Sequence, residues 1–377
     1  MNTEEENKTS NPSSKIKNES ECTIGSICSR FSSGKGITAE KISPTGEYPV
    51  YGGNGVRGYT DNYNFEGQCV VIGRQGANCG NVKYFEGKAY MSEHAIVGVT
   101  HQEHDNRYFA YKLSMLNLGR FSGQAAQPGL SVAKLKTLKI TMPNFNIQYR
   151  IASILSAYDR LIENNTRRIR LLEQMAENLY KEWFVRFRFP EHEKVEMVNG
   201  LPKGWKVEKL GDYANISTGK CNREDAEEDG IYPLFDRSQE IKKSSKWIKD
   251  CEAIIVPGEG TSFIPRYYKG KFNLHQRCYC IEPRIKDIGF YLFYSIMLNR
   301  KYFLSVATGA TVPSLRQNNF TKMKLIIAEL ELVKKYNKIA STIALQIDKL
   351  KDQNTLLTRQ RDLLLPRLMS GKLEVKS

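Results

Sequence analysis

Between about Ile147 and Phe184 the apolar positions recur in sevens, at Ile151, Tyr158, Asn165, Leu172 and Leu179. Leu155, Ile162, Ile169, Ala176 and Trp183 follow each of them four residues on, while Arg167, Arg168, Arg170, Glu173 and Glu177 fall mostly off the stripe. This period predicts one long helix, roughly 55 Å at 1.5 Å per residue, which is the length of a rod rather than of a domain edge. A second stripe runs from about Leu332 to Met369, through Tyr336, Ile343, Leu350, Leu357 and Leu364. Two matching stripes predict an antiparallel coiled coil, with Asn165 on one helix and Gln353 and Asn354 on the other as polar groups that fix the register.

Before and between the stripes the pattern changes. From Cys22 to about Pro143, short apolar runs such as Cys69–Ile72 and Ala95–Val99 alternate with glycine-rich turns, Gly52–Gly55 and Gly73–Gly76 among them. These read as strands and turns. Pro190 and Pro202 break the helical pattern, and Leu201–Trp205 opens a second strand-rich segment that continues to about Ala328. The expected fold is α+β: two globular β-rich α/β domains separated by two long antiparallel coiled-coil helices, with a pseudo-twofold internal repeat. In numbers, the expectation is a disordered tail at 1–20, a first domain at 21–145 and a helix at 146–185. A linker at 186–207, a second domain at 208–330, a second helix at 331–370 and a tail at 371–377 follow.

The two halves echo each other. Lys35 in Ser-Gly-Lys matches Lys220 in Thr-Gly-Lys, an offset of 220 − 35 = 185. Tyr48–Tyr51 matches Tyr232–Phe235 and Val71–Gly73 matches Ile255–Pro257, both at 184. His94 is matched to His275 at 181, Pro128 and Leu130 to Pro313 and Leu315 at 185, and Ile151 to Ile339 at 188. A head-to-tail duplication suits a DNA site with two half-sites on opposite strands.

Charge sharpens this. The 377 residues carry a formal net charge of +15, and a chain with that excess of Lys and Arg usually meets nucleic acid. The eight cysteines are scattered without a CxxC pair, so they read as free thiols in a reducing compartment rather than as zinc ligands. No signal peptide and no membrane-spanning run is expected.

No catalytic constellation is found. There is no Asp-Pro-Pro-Tyr or Asn-Pro-Pro-Tyr motif of an amino-methyltransferase and no GxxxxGK[ST] phosphate loop, and Gly73–Gly80 lacks the spacing of a dinucleotide loop. His101 and His104 lie in a polar stretch that reads as a loop, and no metal is expected. Reading DNA needs donors that reach base edges, with backbone-contacting Lys, Ser and Thr around them. In the first domain the candidates are Lys35, Tyr51, Asn54, Arg57, Tyr59, Arg74, Gln75, His94, Gln124 and Gln127. In the second they are Lys220, Arg237, Ser238, Gln239, Thr261, Ser262, Arg266, Tyr267, His275, Thr311, Arg316 and Gln317. His94 and His275 are open to either of two roles, facing a groove or hydrogen-bonding in the core. Arg57, Arg74 and Gln75 have no like-for-like partner in the second domain, where Glu259 takes a similar place. Two different contact sets predict two different half-sites.

The order of sheet, rod, sheet and rod, the opener Leu201–Trp205 with Leu210–Gly211 and Ser217–Lys220, the stretch Glu173–Phe184, and the closing Arg361–Leu373 together resemble the specificity subunit of type I restriction-modification systems. The resemblance covers nearly the whole chain beyond the N-terminal tail. It implies a non-catalytic, cytoplasmic, nucleoid-associated protein of a bacterium or archaeon, with two target-recognition domains that each read half of a bipartite double-stranded DNA site. It implies two methyltransferase subunits docked on the helices, near the rod ends with Trp183 and Phe184, and restriction/translocase subunits beyond them. S-adenosylmethionine, ATP and Mg2+ would be used by those partners and none by this chain. The alternatives are a stand-alone two-domain DNA-binding protein or coiled-coil adaptor, and an enzyme with a site of its own.

Overall fold

The computed structural model describes residues 19–76, 78–123 and 129–375. The chain divides into two units, one holding residues up to Asn165 and from Gln353 onward, the other holding Thr166–Asp352. Each unit therefore contains one domain and part of each long helix.

The first domain is built on β1 (Cys28–Ser33), β2 (Tyr48–Gly52), β3 (Gly55–Thr60), β4 (Phe65–Gly73), β5 (Val82–Met91) and β6 (Ala95–Thr100). They form one sheet in the order β1-β6-β4-β5-β2-β3, antiparallel throughout except for the parallel β2/β5 pair. The second domain repeats this with β7 (Ala214–Thr218), β8 (Tyr232–Phe235), β9 (Lys242–Ser244), β10 (Lys249–Pro257), β11 (Arg266–Leu274) and β12 (Cys278–Pro283). Its order is β7-β12-β10-β11-β8-β9, and its one parallel pair is β8/β11. Adding six to each strand number converts one sheet into the other. A two-stranded antiparallel pair flanks each sheet, Ser20–Thr23 with Lys139–Met142 and Lys206–Lys209 with Lys324–Ile327. The strand Lys206–Lys209 begins inside the stretch expected as linker, because its pairing, from Lys206 with Ile327 to Lys209 with Lys324, is distant in sequence and leaves no local signal.

The centre of each sheet is fully apolar because both faces are covered. Val70, Val71 and Ile72 in β4, and Ile254, Ile255 and Val256 in β10, are all buried. In the first unit the helix Asn106–Ser114 lays Tyr108, Phe109 and Leu113 on one face. In the second, Gly289–Leu298 contributes Tyr291, Leu292 and Ile296. One shared motif has a steric explanation. A Cβ on Gly34 would lie 2.1 Å from the Met91 carbonyl oxygen, and one on Gly219 would lie 1.9 Å from that of Leu274. Only glycine fits where the chain crosses the end of β5 or β11, which is why Ser-Gly-Lys and Thr-Gly-Lys recur.

The two long helices are α1 (Phe145–Tyr180) and α2 (Leu330–Met369). Asn144 caps α1 by accepting from the Ile147 amide at 3.0 Å. The helical stretch closes in a π turn at Lys181–Val185. The helices pack as an antiparallel coiled coil. In the first unit the Arg361 guanidinium meets the Asp159 carboxylate at 2.6 Å, and Asn165 Nδ2 donates to Gln353 Oε1 and Asn354 Oδ1, both at 3.0 Å. In the second unit the Tyr336 hydroxyl donates to the Ala176 carbonyl at 3.1 Å. Asn165 is 1% exposed, so a register shift would leave its buried amide unpaired. Of the expected seam, Ile151, Tyr336, Ile343 and Leu350 are buried, while Tyr158, Ile162, Leu172, Leu179, Leu357 and Leu364 are partly buried.

The helix ends belong to the domain cores. Ile151, Ala152 and Leu155 from α1, with Leu368 and Met369 from α2, join the core of the first domain. Tyr180 from α1, Trp183 and Phe184 from the π turn, and Leu332, Val333 and Tyr336 from α2 join that of the second. This corrects one expectation. Trp183 and Phe184 are 8% and 2% exposed, with Phe184 edge-on to Tyr291 at 4.8 Å and Tyr336 at 5.3 Å. They anchor the helix to its own domain and present no docking surface. No helix is long and apolar enough to cross a membrane among the described residues.

Candidate nucleic-acid interface

In each domain, turns from three parts of the chain meet at one end of the sheet. In the first domain they are the β2–β3 turn at Gly52–Gly55, the segment after β4, and the β5–β6 turn. A Cβ on Gly53 would lie 2.6 Å from the Gln75 carbonyl oxygen, and one on Gly73 would lie 2.3 Å from that of Gly53. The glycines thus bring the turn that carries the exposed Asn54 against Gln75 and Gly76, while Arg57 is exposed on β3. The Arg74 amide donates to the His94 carbonyl at 2.9 Å, and the Leu130 amide donates to the Arg74 carbonyl at 2.9 Å. Gln75 Oε1 lies 2.8 Å from His94 Nδ1, and His94 Nε2 lies 3.1 Å from Glu93 Oε1. Lys35 reaches the same end through its amide, which donates to Met91 O at 3.0 Å, and its side chain is exposed.

Tyr51 and Tyr59 are placed differently. Tyr51 packs edge-on to Phe85 at 5.1 Å, and its burial raises the pKa of its hydroxyl. Tyr59 is exposed on β3, where its backbone exchanges hydrogen bonds with Ser43. Gln124 and Gln127 lie outside the described residues.

The second domain fills the same place with charge. Glu259 Oε2 accepts from Arg237 Nη1 at 2.6 Å, and its Oε1 forms an ion pair with Arg277 Nη1 at 2.9 Å. Both arginine side chains are at least half exposed, whereas that of Glu259 is 15% exposed. A polar cavity of about 260 Å3 beside them is lined by Gln276, Arg277, Tyr279, Ser314 and Arg316, among others. Thr308 and Ser314 exchange two backbone hydrogen bonds, so Thr311 stands exposed in the loop between them. Gln239, Thr261, Ser262 and Lys220 are also exposed.

Beneath this surface lies a buried frame. Asp236 accepts from Lys242 Nζ at 2.6 Å and from the Ser238 amide and hydroxyl at 2.8 and 2.6 Å. Burial pushes the Asp236 carboxyl up, but the hydrogen bonds from Lys242 and Ser238 outweigh it and bring it down to about 2. Arg266 donates to the carbonyls of Asp236 and Ser238 at 2.6 and 2.8 Å, and its guanidinium lies 5.0 Å from the Phe235 ring centre. Arg266 therefore holds the loop that carries Arg237. Tyr267 stacks on Phe290 at 3.9 Å and donates to Glu252 at 2.6 Å. Gln317 donates to the Ile216 carbonyl at 2.9 Å. Each of these three residues thus has a polar group engaged within the protein, although Arg266 Nε is buried without a hydrogen-bond partner.

The histidine pairing inferred from sequence is wrong. Gly73 pairs with Ala95 and Pro257 pairs with Cys278, so Ala95 corresponds to Cys278. Gly34 abuts the carbonyls of Met91 and Ser92 as Gly219 abuts those of Leu274 and His275. His275 therefore corresponds to Ser92, and His94 corresponds to Arg277. His275 is 7% exposed, and its Nδ1 accepts from the Arg277 amide at 3.0 Å. Of its two open roles the structure gives it the core one. Burial, then Arg237, lowers its pKa. Arg277 was missed because identical residues were matched. Counting from the paired strands, at an offset of 277 − 94 = 183, would have found it.

The comparisons with known proteins agree with this architecture. The family described as the type I restriction modification DNA specificity domain matches the chain twice, at residues 17–174 and 202–360. The EcoprrI type I restriction enzyme specificity subunit of Escherichia coli is 37% identical over 160 residues, which span 41% of this chain and 40% of that protein. The MjaIX specificity subunit of Methanocaldococcus jannaschii is 27% identical over 71% of this chain and 69% of its own length. The crystal structure of a type I restriction-modification S subunit from Mycoplasma genitalium superposes with a TM-score of 0.68 at 20% identity, covering 97% of this chain and all of the other. With two matches to one family, each over one copy of the repeat, this chain belongs to the type I restriction-modification specificity subunits, the non-catalytic DNA-recognition components of those systems.

Proposed function

We propose that this chain reads an asymmetric bipartite double-stranded DNA site, one half-site per domain, and docks methyltransferase and restriction/translocase subunits. Adenine methylation and cleavage are then the work of those partners, which supply the sites for S-adenosylmethionine, ATP and Mg2+. The observation that carries this reading is the repeated sheet end with two different sets of side chains. One fold used twice with different donors suits two unlike half-sites, whereas identical donors would suit a palindrome. The net charge of +15 supports binding to a polyanion. A cytoplasmic, nucleoid-associated location follows from this role. The two helices act as the ruler between half-sites. Removing one heptad from each shortens it by about 10 Å, roughly three base pairs.

The test is to co-express the chain with a type I methyltransferase subunit, purify the complex, and footprint it on a bound duplex. Two protected segments separated by a fixed gap are expected, with the gap shortened in the heptad-deletion variant. A chain that binds DNA alone and captures no methyltransferase would instead be a free-standing DNA-binding protein.

A further inference from the structure

One pair of positions differs between the domains in kind rather than in detail. Gln75 bridges Gly129 as Glu259 bridges Ser314. The Arg74 amide donates to the His94 carbonyl as the Gly258 amide donates to that of Arg277, at 2.9 and 2.7 Å. Gln75 and Glu259 are therefore the same position, and so are His94 and Arg277. In both domains the two side chains touch, at 2.8 Å in the first and 2.9 Å in the second. The contact survives the repeat while its chemistry changes from amide and imidazole to carboxylate and guanidinium.

Stability does not account for the change. Glu259 is 15% exposed but Arg237 and Arg277 are half exposed or more, and a pair to a cation that exposed adds little to folding. What Glu259 does is tether two guanidinium groups at the sheet end, each through one nitrogen. Each contact uses one nitrogen of a group with five N–H donors. A held guanidinium presents the planar fork that matches guanine O6 and N7, whereas a glutamine amide matches adenine N6 and N7.

We propose that this pair sets the base preference of each domain, with Gln75 reading adenine in one half-site and Arg277, positioned by Glu259 beside Arg237, reading guanine in the other. This rests on the bipartite-site reading above and goes beyond it by naming the bases and the residues that choose them. Glu259 and His94 are positioning residues, which act through the side chains they hold.

The test is selection of bound sequences from a randomised duplex library by the full complex. It compares the wild type, Glu259→Gln with Arg277→His, Gln75→Glu with His94→Arg, and the milder Arg277→Lys. The wild type is expected to select one two-part site. The second-domain pair should lose its guanine preference at one base pair by about tenfold to a hundredfold, leaving the other half-site and the gap unchanged. The first-domain pair should alter the half-site that the other variant leaves alone. Arg277→Lys keeps the charge and loses the fork, so it should relax the same base pair while the complex stays folded. Uniformly weaker binding with an unchanged preference would mean phosphate contacts and would overturn the inference alone. Full guanine preference in Arg277→Lys would do the same. A wild type that selects no two-part site would overturn the bipartite reading together with it.

Discussion

The two recognition domains share every strand pairing and differ at the tip. In the first, Val50 pairs with Gly58, and glycines at 52 and 53 let the β2–β3 turn lie flat against Gln75. In the second, Leu234 pairs with Lys242, so Lys242 stands where the first domain has Gly58, and Asp236 stands where it has Gly52. The first tip is thus shaped by close backbone packing. The second is shaped by a buried carboxylate that gathers Lys242 and Ser238 while Arg266 braces the backbone. A sheet whose centre is apolar on both faces tolerates either solution, because the tip contributes little to the core. That separation lets one scaffold present two sets of donors.

The largest expected effect is in the charged tip. Lys242→Ala leaves the Asp236 carboxylate, 9% exposed in its side chain, without its cation, and should destabilise the second domain by about 3 kcal/mol. Denaturant unfolding of the full chain would measure it, and the first domain, with glycine at that place, should be unaffected. Acid gives a smaller version of the same difference. The Asp236 carboxyl sits below its unfolded value, so protonation favours the unfolded state. The linked stability is complete above about pH 4 and is lost as the pH falls toward 2, a total of about 2 kcal/mol. Asp236→Asn should remove that dependence from an acid titration of stability. Next, Arg57→Ala or Arg74→Ala should weaken binding at one half-site by about tenfold and leave the other intact; equal losses at both would break the assignment of domains to half-sites. Smallest is the salt effect. Each lost phosphate contact should lower the slope of log affinity against log salt by about 0.9, which a titration of Lys35→Ala or Lys220→Ala would reveal.

Much of the fold was legible because it rests on period. The helical stripes, the glycine turns and the repeat are all local or regularly spaced signals, and the need for glycine at Gly34 and Gly219 kept a motif constant across the duplication. What was not legible depended on contacts distant in sequence. Tyr267 and Arg266 have the composition of DNA-reading residues, and their packing on Phe290 and Phe235, which leaves both half-buried, has no local signal. Trp183 and Phe184 look like exposed anchors at a rod end and are core. Arg277 lies two residues from His275, and only the strand register shows that it, rather than His275, takes the place of His94.

The central claim is that two unlike tips on one scaffold read two unlike half-sites for a methyltransferase partner. Co-expression with that subunit in a host lacking other adenine methylation, followed by genome-wide mapping of methyladenine, tests it most directly. The expected result is one two-part motif with a fixed gap and different halves, methylated on both strands. A palindromic motif, or methylation that follows no two-part motif, would contradict it.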